Sequence, residues 1–136
     1  MRKFVVPLLF VAFILASCAP SSAPGNNDDG YTNIDVETLQ TMMNERRDTF
    51  LLVNTHIPFQ GNIPDTDLSI PYNEILDNLD QPPADKDAEI VLYCRSDSMS
   101  HDAAADLVSA GYTNVKNLVG GFNAWKSAGL PMEMEP

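Results

Sequence analysis

A chain of 136 residues, 44% of them apolar, has room for one small domain with a modest core, and it shows no internal repeat. Its 19 acidic residues against 8 basic ones give a formal net charge of -11, which argues against nucleic acid as a partner and against binding anionic lipid through charge. The 2 cysteines and 2 histidines have no metal-ligand spacing, so neither a metal nor another cofactor is expected.

The chain opens MRKFVVPLLFVAFILASC, with two cations ahead of an apolar run from Phe4 to Ala16. That run is shorter than the roughly 20 residues of a bilayer span, so it reads as the apolar core of an export signal rather than an anchor helix. Its ending, Leu15-Ala16-Ser17-Cys18, resembles the lipobox of bacterial lipoproteins. The resemblance implies a signal peptide over 1–17, cleavage before Cys18, and diacylation of Cys18. A lipid there would hold the mature chain on a membrane of the cell envelope, on the extracytoplasmic or periplasmic side. A disulfide between a lipidated Cys18 and Cys94 is then excluded, and Cys94 is left as a lone thiol. Residues 19–33 are rich in Pro, Ser, Gly, Asn and Asp and read, with Cys18, as a flexible linker, so the folded domain is expected over 34–136.

Within that domain the elements alternate. Asp35 can cap a helix reaching about Asn44, with Leu39, Met42 and Met43 as its apolar stripe. Phe50 to Val53 is a short apolar run of the kind a strand buried on both faces shows. Pro58, Gly61 and Pro64 make 55–67 a loop, and Leu68 to Ile70 suits a short strand. Asn73 starts an expected second helix that must end before Pro82 and Pro83. Glu89 to Tyr93 is another doubly buried strand. Ser100 is expected to cap a helix through Ala110, closed by Gly111. Val115 to Val119 is a last strand, followed by the Gly120-Gly121 turn and a helix from Phe122 to Ala128, with Phe122 and Trp125 facing the core. Strands separated by helices predict an α/β fold, a central parallel sheet with helices on both faces.

This order puts Cys94 at the carboxyl end of a central strand, before the loop Arg95-Ser96-Asp97-Ser98-Met99 and the helix at Ser100. Open α/β sheets place ligand sites beyond such strand ends. Converging loop N–H groups and a helix N-terminus stabilise a thiolate, the form that attacks electrophiles, and Arg95 adds a cation. The alternative is a buried structural thiol that merely ends the strand. His56 either faces this cradle as a pH-dependent cation or lies exposed on its loop. His101, on the first turn after the loop, is either a proton-transfer aid or a surface residue.

Tyr93-Cys94-Arg95-Ser96, with AGYTNVKNLVGGFNAWKSAGLP downstream, resembles the second half of a rhodanese domain. Leu51-Leu52-Val53-Asn54 resembles the family's LIDVR strand, Gly61-Asn62-Ile63-Pro64 its GHIPGA turn, and Ile70-Pro71 its NIP step. The resemblance implies a rhodanese-like fold and a sulfurtransferase. Cys94 would take a sulfane sulfur from a small donor as a persulfide and pass it to a thiol acceptor. Arg95, Ser96, Asp97, Ser98, Met99 and Ser100 would form the substrate-binding loop.

The chain also departs from that pattern. Asp97 stands where glycine is usual, and neither Ser98 nor Met99 is the family's loop arginine. Asn54 replaces an aspartate, Thr55-His56 a valine-arginine, and Asn62 the turn histidine. A carboxylate at 97 is expected to cost backbone freedom, oppose the thiolate and repel thiosulfate. Two readings follow: a persulfide carrier using a neutral or thiol-type donor, or a degenerate module that binds a partner protein. A phosphatase of this fold needs an arginine six positions after the cysteine, where Ser100 stands.

Overall fold

The computed structural model describes residues 29–136. Five strands form one all-parallel sheet: β1 (Thr32–Ile34), β2 (Phe50–Asn54), β3 (Leu68–Ser69), β4 (Glu89–Tyr93) and β5 (Val115–Leu118), in spatial order β1-β5-β4-β2-β3. Central β4 pairs with β2 from Phe50↔Glu89 to Asn54↔Tyr93 and with β5 from Ile90↔Val115 to Leu92↔Asn117. Among the described residues three α-helices complete the fold: α1 (Val36–Arg46), α2 (Ser98–Ser109) and α3 (Gly121–Ser127).

The apolar runs of β2 and β4 have no polar face because both faces of the sheet are covered. Ile90 and Leu92 pack on one side with Ala103, Ala104 and Leu107 of α2; Val91 and Tyr93 pack on the other with Leu39 of α1 and Phe122 and Trp125 of α3. The α1 start is as expected, Asp35 accepting from the Thr38 amide at 2.8 Å. Among the described residues no helix is long and apolar enough to cross a membrane.

Three local expectations change. The linker ends earlier than residue 33, because Thr32–Ile34 pairs with β5 and Tyr31 is buried. Strand and core here come from a stretch whose composition is that of a linker, since an edge strand of three residues needs little apolar sequence when its partner is already in place.

The second helix does not form. Tyr72–Glu74 makes a single 3-10 turn, and Asp77 and Gln81 then bond three residues back, to Glu74 and Asn78. The Asn78 side chain donates to the Glu74 carbonyl at 2.9 Å, taking the acceptor its own amide would use in an α-helix.

Helix α2 begins at Ser98 with Asp97 as N-cap residue, so Ser100 lies inside the first turn rather than capping it. Its hydroxyl donates to the Asp97 carbonyl at 2.9 Å.

The Tyr31 hydroxyl is hydrogen-bonded to His101 Nδ1, and the two rings meet edge to face at 5.5 Å. His101 thus ties the start of β1 to α2. Tyr31→Ala is expected to lower stability by about 3 kcal/mol in urea unfolding, the loss typical of a truncated buried aromatic; a linker residue would change it by less than about 0.5 kcal/mol.

Candidate active site

Cys94 follows directly on β4 and is 1% exposed. Its place is set by neighbours on both sides. Thr55, just past β2, donates to the Tyr93 carbonyl from its amide at 2.8 Å and its hydroxyl at 3.0 Å. On the other side, the amides of Phe122 and Asn123 donate to the carbonyls of Cys94 at 2.9 Å and Arg95 at 3.0 Å. A Cβ on Gly121 would stand 2.2 Å from the Cys94 carbonyl oxygen, and Gly121 has φ +52°. Glycine is therefore required here for space and for backbone conformation. Gly121 supports the cysteine directly, a closer role than a turn into the last helix.

Beyond Cys94 the chain leaves the sheet for three residues before α2 starts. Among the described residues, no amide from Arg95 to Ser100 donates to a protein acceptor. A loop N–H series running into a helix N-terminus suits an anion. Arg95 to Ser98 are exposed, Met99 is half-buried and Ser100 is buried. The Ser100 hydroxyl lies 3.5 Å from Cys94 Sγ as well as 2.9 Å from the Asp97 carbonyl. It has one proton for two acceptors, so a gain of negative charge on sulfur can draw that proton away from the carbonyl.

Asp97 does not behave as its position in the pattern suggests. Its φ of -174° is extended backbone open to any residue, so no glycine conformation is forced on it. Its carboxylate accepts from Asn117 Nδ2 on β5 at 2.8 Å.

Asn54 and Asn62 are hydrogen-bonded to each other. Asn54 Nδ2 donates to Asn62 Oδ1 at 2.8 Å, and the His56 amide donates to Asn54 Oδ1 at 2.9 Å. The phenol of Tyr93 closes this network, accepting from the Ile63 amide at 3.0 Å and meeting Thr66 Oγ1 at 2.7 Å. Burial pushes that phenol up to about 12, so it stays protonated. The C-terminal segment pairs with the same turn through Asn62 and Glu133.

His56 is half-buried rather than exposed, its ring edge-on to Phe122 at 5.5 Å. Burial, and then the Arg95 charge, push its pKa below the usual histidine value; the Gln60 side chain opposes this only in part. Neither ring nitrogen has a partner in good hydrogen-bonding geometry among the described residues. A neutral imidazole, not a cation, stands beside the loop. It also lines a cleft of about 280 Å³ with Ile57, Phe59, Ile70 and Pro71. Among the described residues there is no cluster of His, Cys, Asp or Glu that could hold a metal. Cys18 lies outside the described residues.

Thr55, Asn117 and Gly121 belong to this site without having been singled out for it by spacing. The glycine pair reads as a turn; nothing in the sequence marks Asn117, whose partners come from a loop and from the neighbouring edge strand β1.

The family description "Rhodanese-like domain" matches residues 28–128. A sulfurtransferase of Allochromatium vinosum is 40% identical over 73% of this chain and 92% of its own length. Thiosulfate sulfurtransferase 18 of Arabidopsis thaliana is 31% identical over 78% of this chain and 74% of its own. The rhodanese-like domain of an Anabaena protein superposes with a TM-score of 0.67 at 24% identity, covering 76% of this chain and 79% of that one. These relatives support a sulfurtransferase-type function.

Two outcomes test the geometry. Gly121→Ala is expected to cost about 3 kcal/mol in chemical unfolding, from steric conflict and the left-handed backbone together. For His56 the folded pKa lies below the unfolded one, so its contribution is intact above about pH 6.5 and declines as pH falls toward the folded value. The melting temperature of the native chain should therefore fall more steeply than that of His56→Gln between about pH 7 and pH 5.5.

Proposed function

The chain belongs to the rhodanese-like domain family, and from that premise we propose that it carries sulfane sulfur on Cys94. The observation that carries this reading is the placement of Cys94 at the end of the central strand, ahead of six amides without acceptors among the described residues and beside the Ser100 hydroxyl. In the first half-reaction the Cys94 thiolate attacks the outer sulfur of a small donor. The donor's S–S bond breaks, its pair leaves with the departing group, and Cys94 becomes a persulfide. In the second, an acceptor thiolate attacks the terminal sulfur and returns Cys94 as thiolate. The two half-reactions leave no net change of oxidation state in the protein, and the cycle is covalent and ping-pong. The free amides and Ser100 stabilise the charge on sulfur at both stages.

The competing reading, a module that binds a partner protein without turnover, drew its support from Asp97 and the missing loop arginine. The hydrogen bond from Asn117 to Asp97 weakens the first of these grounds. We further propose that a lipid on Cys18 tethers the domain to a membrane outside the cytoplasm, on the strength of the Leu15–Cys18 motif.

Intact-mass measurement of the chain from residue 19, treated with thiosulfate or with a polysulfide, tests the sulfur-carrier reading. One added sulfur, absent in Cys94→Ser, is expected with at least one donor. No addition from either, with Cys94 still open to alkylation, favours the binding module.

A further inference from the structure

The carboxylate of Asp97 lies within the loop that follows the proposed nucleophile, where a free negative charge would oppose any anion drawn to that loop. Its Oδ1 accepts from Asn117 Nδ2 at 2.8 Å, and the same Nδ2 donates to Asn33 Oδ1 at 3.0 Å. Asn117 is 1% exposed on β5, and its own Oδ1 is buried without a partner among the described residues. An orphaned buried acceptor is costly, and burial in a strand core gives no reason for an amide there. Rotating the amide by half a turn would place its oxygen against two other oxygens, Asp97 Oδ1 and Asn33 Oδ1. The observed orientation is therefore the one that can hold a carboxylate. The far end of Asp97 is also held, its carbonyl accepting from Ser100 Oγ at 2.9 Å.

We infer that Asn117 is a positioning residue that draws the Asp97 carboxylate toward β5 and β1 and keeps its charge off the Cys94 sulfur. The inference rests on the reading of Cys94 as a nucleophile, and it explains how this loop carries an acid where its family carries glycine. Arg95, which makes no ion pair among the described residues, then remains the charged side chain free to meet an anion beside the loop.

The test compares alkylation of Cys94 by iodoacetate, an anion, with that by iodoacetamide, a neutral reagent of nearly the same size. The chain from residue 19 leaves Cys94 as its only thiol. The contacts of Asn117, Asp97 and Ser100 all lie within residues 29–136. In the native chain the iodoacetate-to-iodoacetamide rate ratio should be at least that of 2-mercaptoethanol. In Asn117→Ala, or in Asn117→Val with a side chain suited to a strand, the ratio should fall roughly fivefold, the effect of one charge at about 4 Å in water. Adding Asp97→Asn to either variant should restore it.

A native ratio well below that of 2-mercaptoethanol means the carboxylate already acts on the sulfur, and overturns the inference whether or not the variants fold. Equal changes in both rates, or a fall that Asp97→Asn does not reverse, reduce Asn117 to support for β5 and also overturn it. In both cases a reactive Cys94 leaves the nucleophile reading standing. A native Cys94 inert to both reagents overturns that reading and this inference together.

Discussion

The hydrogen bond from the Phe122 amide to the Cys94 carbonyl is the contact around which the site is arranged. A central strand in a parallel sheet spends its amides and carbonyls on two neighbours, but at its last residue the ladder stops and the carbonyl must find another donor. Here the first turn of α3 supplies it, and it can do so only because Gly121 has no side chain to strike that oxygen. Thr55 satisfies the carbonyl one residue earlier. With both carbonyls taken, the chain beyond Cys94 is released from the sheet with its amides unspent.

Around this point polar groups are met by amides and hydroxyls rather than by opposite charges. The chain is strongly acidic, yet the positions nearest the cysteine use amides and hydroxyls: Asn54 with Asn62, Asn117 with Asp97, Ser100 with the Asp97 carbonyl. A buried ion pair needs full mutual compensation, whereas an amide pair keeps the same geometry with a smaller desolvation cost. Elsewhere cations are spent on local contacts, Arg46 and Lys116 on Glu89, Arg47 on Asp67, and Lys86 and Lys126 on the rings of Tyr112 and Phe122. His56, kept neutral by burial and by Arg95, fits the same regime.

Much of the architecture could be read from the chain because its two central strands, β2 and β4, are short apolar runs and its helices carry local stop signals. Phe50–Val53 and Glu89–Tyr93 announce burial on both faces; Asp35 and Gly111 mark helix ends with chemistry that acts within a few residues. The segments that depart from their local pattern are those where a side chain competes with the backbone or a distant partner supplies the structure. Asn78 capturing the Glu74 carbonyl undoes a helix that periodicity favoured. Ser100 turns inward to the Asp97 carbonyl instead of capping.

The α/β class, the central place of Glu89–Tyr93 and the position of Cys94 at that strand's carboxyl end are legible in the chain alone, because burial pattern and turn chemistry are local properties. It takes the folded chain to show that residues 31–34 join the sheet and core, that Asp97 bonds to Asn117, and that Asn54 and Asn62 are partners. These depend on groups brought together from far along the chain: β1 against β5, a loop against a strand two elements later. Which hydrogen-bond donor meets which acceptor across such a gap is set by packing, and no residue in isolation carries that information.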